Sequence, residues 1–201
     1  DPAAFEFAIV RGRTAFKENC EPCHGSGAQG APGYPNLNDD DWLWGGTAGD
    51  IQQTITHGVR NDDRDSRYSE MPAFLRDGTL TRTQVDDVAE YVAGLSGQQA
   101  DPALARRGAA VFAEKCVSCH GPDGKGDRSM GAPNLTDAIW QYGGDRAALR
   151  QTISYARNAS MPPWHGRLSP ATIRAVTVYV HSLGGGQGET GKASTAESKT
   201  P

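Results

Sequence analysis

Four cysteines carry the chemistry of this 201-residue chain. They fall in two pairs, each closed by a histidine: Cys20-Glu21-Pro22-Cys23-His24 and Cys116-Val117-Ser118-Cys119-His120. Two thiols one helical turn apart with an imidazole next in line form the attachment sequence of c-type haem. The thiols add to two vinyl groups as thioethers, and the adjacent imidazole reaches the iron. A redox-active dithiol does not call for the histidine, which here occurs twice. A four-cysteine zinc site would have to close across the 92 residues between the pairs, leaving both histidines without a role. The spacing therefore predicts two covalently attached haem c groups, on Cys20 and Cys23 and on Cys116 and Cys119, with His24 and His120 on the two irons.

Each iron needs a second ligand or an open position. The chain has three methionines, Met71, Met130 and Met161. Met71 and Met161 are each followed by proline and each precede the last helical pattern of their half. A thioether is a soft, neutral ligand that favours ferrous iron. A lone methionine is usually packing material, but two at matched positions point to ligation: Met71 with His24, Met161 with His120. Met130, ten residues past His120, reads as packing or surface. His57 and His181 read as structural or exposed. His165, four residues past Met161, competes with it for the second iron.

Leu, Ile, Val and Phe make up 31 of the 201 residues, about 15%, below the share from which a chain ordinarily builds a core. The net charge of −4 argues against wholesale disorder; a prosthetic group can fill what the side chains do not. The acidic balance excludes a strongly basic nucleic-acid binder. No apolar run approaches the roughly 20 residues that span a bilayer. The first residue is Asp1, so an N-terminal segment is expected to have been removed. Residues 1–100 hold 16 Asp+Glu against 8 Lys+Arg, and residues 101–201 hold 8 against 12. Asp39, Asp40 and Asp41 run into Trp42, and Asp62, Asp63 and Asp65 lie in an insertion before Met71. These loops are expected to steer a basic partner to the first half.

The elements that position these residues repeat. Gly12 and Phe16 precede the first motif as Gly108 and Phe112 precede the second; Pro35-Asn36-Leu37 recurs as Pro133-Asn134-Leu135, and Trp42 as Trp140. Ile51 and Ile55 match Leu149 and Ile153, Met71-Pro72 matches Met161-Pro162, and Val85, Val88, Val92 and Leu95 match Ile173, Val176, Val180 and Leu183. The first copy holds eight extra residues before its methionine. Apolar spacing predicts helices near 5–19, 48–57 and 82–95, and again near 103–115, 145–156 and 170–183. Thr81 and Ser169 are N-caps, and Gly97 and Gly184 suit the helix ends. An all-α chain of two tandem cytochrome c domains is expected: 1–97, a linker at 98–103, 104–186, and a flexible tail at 187–201, its glycine-rich lead-in starting at Gly184.

The strings PNLNDDDWLWGG (35–46), TITHGVR (54–60), SEMPAF (69–74), APNLTDAIW (132–140) and VYVHSLGGG (178–186) resemble the dihaem subunit, subunit III, of cbb3-type cytochrome c oxidases. The resemblance extends over nearly all of residues 5–187. It implies class I cytochrome c folds, in which a proline carbonyl, here Pro35 and Pro133, accepts a hydrogen bond from the ligand histidine. Trp42, Trp44 and Trp140 pack along the haem edge, where an indole N–H reaches a propionate, or serve as core. It further implies electron transfer from a soluble donor cytochrome c to the monohaem and catalytic subunits of the oxidase, with no residue acting as acid, base or nucleophile. The implied location is the periplasmic side of the bacterial inner membrane, with membrane contact only through a segment outside this chain. A free dihaem shuttle is the nearest alternative. A dihaem peroxidase, a sulfur-compound dehydrogenase or a gas sensor would need an open or labile iron.

Overall fold

The structure, a computed structural model, describes residues 1–188; the expected tail beyond lies outside the described residues. Six helices carry the architecture: α1 (Pro2–Asn19), α3 (Ala48–His57), α4 (Arg82–Leu95), α5 (Pro102–Lys115), α7 (Arg146–Tyr155) and α8 (Pro170–His181). Two single turns, α2 (Glu21–His24) and α6 (Val117–His120), carry the haem motifs. Isolated bridges occur, but no sheet is found among the described residues. The caps follow side-chain chemistry. The Thr81 hydroxyl accepts the Gln84 N–H while the Gln84 side chain returns to the Thr81 N–H, closing a capping box. Ser169 caps α8 ahead of Pro170, and Asp101 accepts from Ala103 and Leu104 at the start of α5.

Helix positions match expectation; the grouping of the helices does not. One compact unit comprises Asp1–Arg67 together with the chain from Ser160 onward, and the other is Tyr68–Ala159. By contact, unit 2 is an insertion within unit 1, and the stretch 98–103, expected as a linker between domains at 1–97 and 104–186, lies inside unit 2. Helix α1 packs on α8, and α5 packs on α4. Each repeat has given its last helix to the first helix of the other.

The same contact is built twice. A Cβ placed on Gly12 would lie 2.1 Å from the Ala175 carbonyl oxygen and 2.7 Å from Tyr179 Cβ. On Gly108 it would lie 2.1 Å from the Asp87 carbonyl oxygen and 2.9 Å from Tyr91 Cβ. Only glycine lets the backbones come this close. One turn further, Phe16 meets the Tyr179 ring at 5.4 Å and Phe112 meets Tyr91 at 5.2 Å between centroids, within the range of favourable aromatic pairs. Two cores result. In unit 1, Phe16, Ile51 and Ile55 pack with Ile173, Val176 and Val180. In unit 2, Val85, Val88 and Val92 pack with Val111, Phe112, Leu149 and Ile153.

The physical reason lies in the connection. Only Ser96–Asp101 separates α4 from α5, and a link that short keeps consecutive elements neighbours. The turn is closed tightly. Gly97, at φ +79°, donates to the Gly94 carbonyl, and Gln98 N–H donates to Ala93. Arg146 of α7 then pairs with Glu90 of α4 at 3.2 Å and bonds Gln98 and the Gln99 carbonyl in the link. Asp87, buried in α4, receives a two-pronged contact from Arg107 of α5 at 2.6 and 2.8 Å.

The described part of the glycine-rich run, residues 184–188, is anchored rather than loose. Gln187 is buried; its N–H donates to the Gly46 carbonyl at 2.8 Å, its side-chain oxygen accepts from Gly46 N–H, and His181 Nε2 meets its carbonyl at 2.9 Å. Satisfied backbone groups hold a segment that composition alone marks as loose.

Gly12→Ala and Gly108→Ala should each cost about 2–3 kcal/mol, the range of overpacking in a tight contact. Gly94→Ala, whose added carbon meets Ala100 at an ordinary 3.5 Å, should stay within about 1 kcal/mol of the parent. Urea unfolding followed by circular dichroism measures all three.

Candidate haem-attachment centres

In unit 1, α1 ends at Cys20, whose N–H still bonds the Phe16 carbonyl at 2.7 Å. The turn α2 then brings His24 N–H onto the Cys20 carbonyl at 2.9 Å. This one-turn geometry places both thiols and the imidazole on one local frame. His24 Nδ1 donates to the Pro35 carbonyl at 3.1 Å. A carbonyl oxygen can only accept, so the proton sits on Nδ1 and Nε2 keeps a free lone pair. Unit 2 repeats the arrangement: His120 N–H reaches Cys116 at 2.9 Å, and His120 Nδ1 donates to Pro133 at 3.1 Å.

The electrostatics favour neutral groups. Burial lowers both His24 and His120 below the ordinary imidazole range, partly offset by the proline carbonyls. Burial, and then the neighbouring cysteine, push Cys20 and Cys116 up to about 11. Redox-active cysteines have depressed values, so these are poor thiolates. A thioether, which never ionises, fits the setting. Two cysteines, a neutral imidazole with its Nε2 available and an apolar surround match haem c in each unit.

The methionines exchange with the helices. Met161 packs on the unit 1 core alongside Cys20, Leu37 and Trp42. Its N–H and carbonyl pair with Val59 at 2.9 and 3.0 Å, and the Asn61 amide donates to its carbonyl at 2.7 Å. Met71 packs on the unit 2 core alongside Cys116, Leu135 and Trp140. It exchanges two hydrogen bonds with the Asn158 side chain, at 3.3 and 3.2 Å. Met161 thus shares a unit with His24, and Met71 shares one with His120, the reverse of the expected grouping. The cause is the helix exchange, because each methionine precedes the helix its repeat gives away. Asn61 and Asn158, which hold the two methionine segments, carry no motif and were missed.

Other expected residues find different roles. Trp42 closes over Gly46, but its indole N–H donates to the Gly185 carbonyl at 2.7 Å and so is not aimed at a propionate. Trp140 closes over Gly144 in the same manner, and Trp44 lies under the Arg67 guanidinium, 5.9 Å away. His165 falls in unit 1, bonded to Asp63, and so does not compete for the second iron. Asp63, expected on an acidic surface, is drawn between His57 and His165. Met130 is partly buried, its carbonyl held by the Ser69 hydroxyl.

The comparisons with known proteins find a cytochrome c sequence in each consecutive half of the chain. The family described as cytochrome c matches residues 9–96, and the family described as "Cytochrome C oxidase, cbb3-type, subunit III" matches residues 103–180. The cbb3-type cytochrome c oxidase subunit CcoP of Cereibacter sphaeroides is 56% identical over 188 residues, covering 93% of this chain and 65% of its own length. The subunits named FixP of Bradyrhizobium diazoefficiens and Azorhizobium caulinodans are 54% and 52% identical over the same span, with 65% and 64% of their lengths covered. The chain is similar along about nine-tenths of its length to cbb3-type oxidase CcoP and FixP subunits. It spans about 65% of the length of these relatives. Its two cytochrome c units carry covalent haem c, one on each attachment motif of this all-helical chain. No helix among the described residues is long and apolar enough to cross a membrane.

Proposed function

We propose that the chain is a non-catalytic electron-transfer module in which a histidine and a methionine would hold each haem iron. Cys20 and Cys23, as thioethers, with His24 and Met161 would hold the haem of unit 1. Cys116, Cys119, His120 and Met71 would hold that of unit 2. The observation that carries this reading is the duplicated pairing of a histidine donating to a proline carbonyl with a methionine on the same core. Haem iron supplies a one-electron ferric–ferrous couple. The chain's own residues set its energy: the Nδ1–H···O=C bond fixes the ring orientation and raises ligand basicity, and methionine favours the ferrous form. With a histidine and a methionine available to each iron, peroxidase and gas-sensing chemistry would find no vacant position.

The relatives are named as subunits of cbb3-type oxidase. By that likeness the module hands electrons to the oxidase's monohaem and catalytic subunits, on the periplasmic side of the inner membrane, rather than serving as a free shuttle. The donor is a soluble basic cytochrome c. Regrouping the chain softens the charge asymmetry of its two halves. Unit 1 has 13 Asp+Glu and 10 Lys+Arg, and unit 2 has 11 and 10. What remains is local: exposed Asp40, Asp62 and Asp65 all belong to unit 1. These carboxylates steer the donor, while Asp63 is occupied elsewhere.

The reduced protein should not bind carbon monoxide, and Met161→Ala and Met71→Ala should each bind roughly one molecule per chain as one axial position opens. Each variant should also lose one thioether-to-iron charge-transfer band and lower the potential of one haem. Binding by the unaltered protein at both irons would remove the electron-transfer reading in favour of an enzyme or sensor. Reduction by a basic donor should slow as salt rises, and the triple variant Asp40→Asn, Asp62→Asn, Asp65→Asn should be slower at low salt by about tenfold, in the range of electrostatic steering. Stopped-flow reduction at several ionic strengths measures this; a salt-independent rate excludes the docking surface.

A further inference from the structure

A second cluster of ligating side chains stands in unit 1. His57 closes α3 with its Nδ1 3.1 Å from Asp63 Oδ1, and His165 places Nε2 2.5 Å from Asp63 Oδ2. The imidazole centroids are 5.5 Å apart with their planes tilted by 41°. The three ligating atoms all lie within 4.8 Å of one another. A tetrahedral site with bonds of about 2.0–2.2 Å needs ligand atoms about 3.3–3.6 Å apart. Separations from 2.5 Å up to 4.8 Å bracket that requirement, and His165, at 51% the most exposed member, has room to adjust.

The cluster is held from behind. Asp63 N–H bonds Asn61 Oδ1 and its Oδ1 accepts the Asp65 N–H, both at 2.8 Å. The Asn61 amide joins the carbonyls of His57 and Met161, and His165 N–H is fixed to Thr56 at 3.2 Å. The Asp65 N–H first, and then the His165 and His57 hydrogen bonds, keep the Asp63 carboxyl ionised, lowering it to about 2.

The duplication supplies an internal control. The position equivalent to His57 in the second repeat is Tyr155, 53% exposed, and that equivalent to His165 in the first is Leu75. Asp63 lies in the eight-residue segment that has no counterpart. A cytochrome c unit therefore forms without any of the three, and the haem chemistry uses none of them.

We propose that His57, Asp63 and His165 bind a divalent transition-metal ion, zinc by preference, with water completing the coordination. Two imidazoles and one carboxylate form a borderline donor set suited to zinc or copper(II) and poor for calcium or magnesium. On binding, the proton each imidazole shares with Asp63 moves to the opposite ring nitrogen, or leaves to solvent where that nitrogen is already protonated. The freed lone pairs and the carboxylate then face the ion. Because Asn61 also holds Met161, an ion here braces the segment that presents the methionine.

The test is calorimetric titration of zinc chloride into the haem-loaded chain, stripped beforehand of metal by a chelator. Roughly one zinc ion per chain should bind, and His165→Gln and Asp63→Asn should each weaken binding by about tenfold or more, the cost scale of disturbing a metal's ligand environment. His181→Gln should bind as the parent does. His165 is half exposed, so its variant keeps the fold, which unchanged visible spectra of both haems confirm. Parent binding no tighter than that of the double variant His165→Gln, Asp63→Asn, or unaffected by His165→Gln, overturns the site.

Discussion

Everything in this molecule turns on how closely two pairs of helix backbones approach. At Gly12 the α1 backbone rests on Ala175 of α8, and at Gly108 the α5 backbone rests on Asp87 of α4. Side chains one turn along, Phe16 with Tyr179 and Phe112 with Tyr91, continue each contact into a core. The haem motifs begin where α1 and α5 end. The position of each helix pair therefore sets the position of each cysteine pair, and any shift in the crossing would be carried directly into the attachment geometry.

The exchange also couples the repeats chemically. Each methionine lies in the segment that leads into its repeat's last helix, so the helix and the thioether travel together. On the proposed ligation, a unit whose histidine comes from one repeat and whose methionine comes from the other would not complete its centre until both repeats had been synthesised. Exchange of equivalent elements is a low-cost rearrangement because the contacts made are the same in kind. Here the Gly, Phe and Tyr positions match so closely that the two packings differ little in side-chain chemistry, and the six-residue link between α4 and α5 decides between them.

That equivalence explains what was legible in the amino-acid order and what was not. The attachment motifs, the proline partners of the histidines and the helix limits follow from local chemistry: spacing, caps and period. The choice of partner for α4 does not. Val85, Val88 and Val92 present the same stripe as Ile173, Val176 and Val180, so periodicity suits either partner. Charge does not decide it either, because Arg11 stands at the position equivalent to Arg107 and could face Asp87 in a tandem arrangement. The brevity of Ser96–Asp101 was the available signal. Gln187 shows the same limit from another side, since a glycine-rich composition cannot reveal that Gly46 and His181 wait to receive its backbone. Asp63 was read as surface charge because nothing in its neighbourhood along the chain announces His165, 102 residues away.

The most direct measurement is the nuclear Overhauser contact of each ligand methionine's ε-methyl group in the reduced, haem-loaded chain, with Met161→Leu used to assign the resonance. Exchange of the helices predicts that the Met161 methyl lies against the haem attached to Cys20 and Cys23, and the Met71 methyl against that attached to Cys116 and Cys119. Contacts from Met71 to the haem on Cys20 and Cys23 would contradict the exchange and restore two consecutive domains.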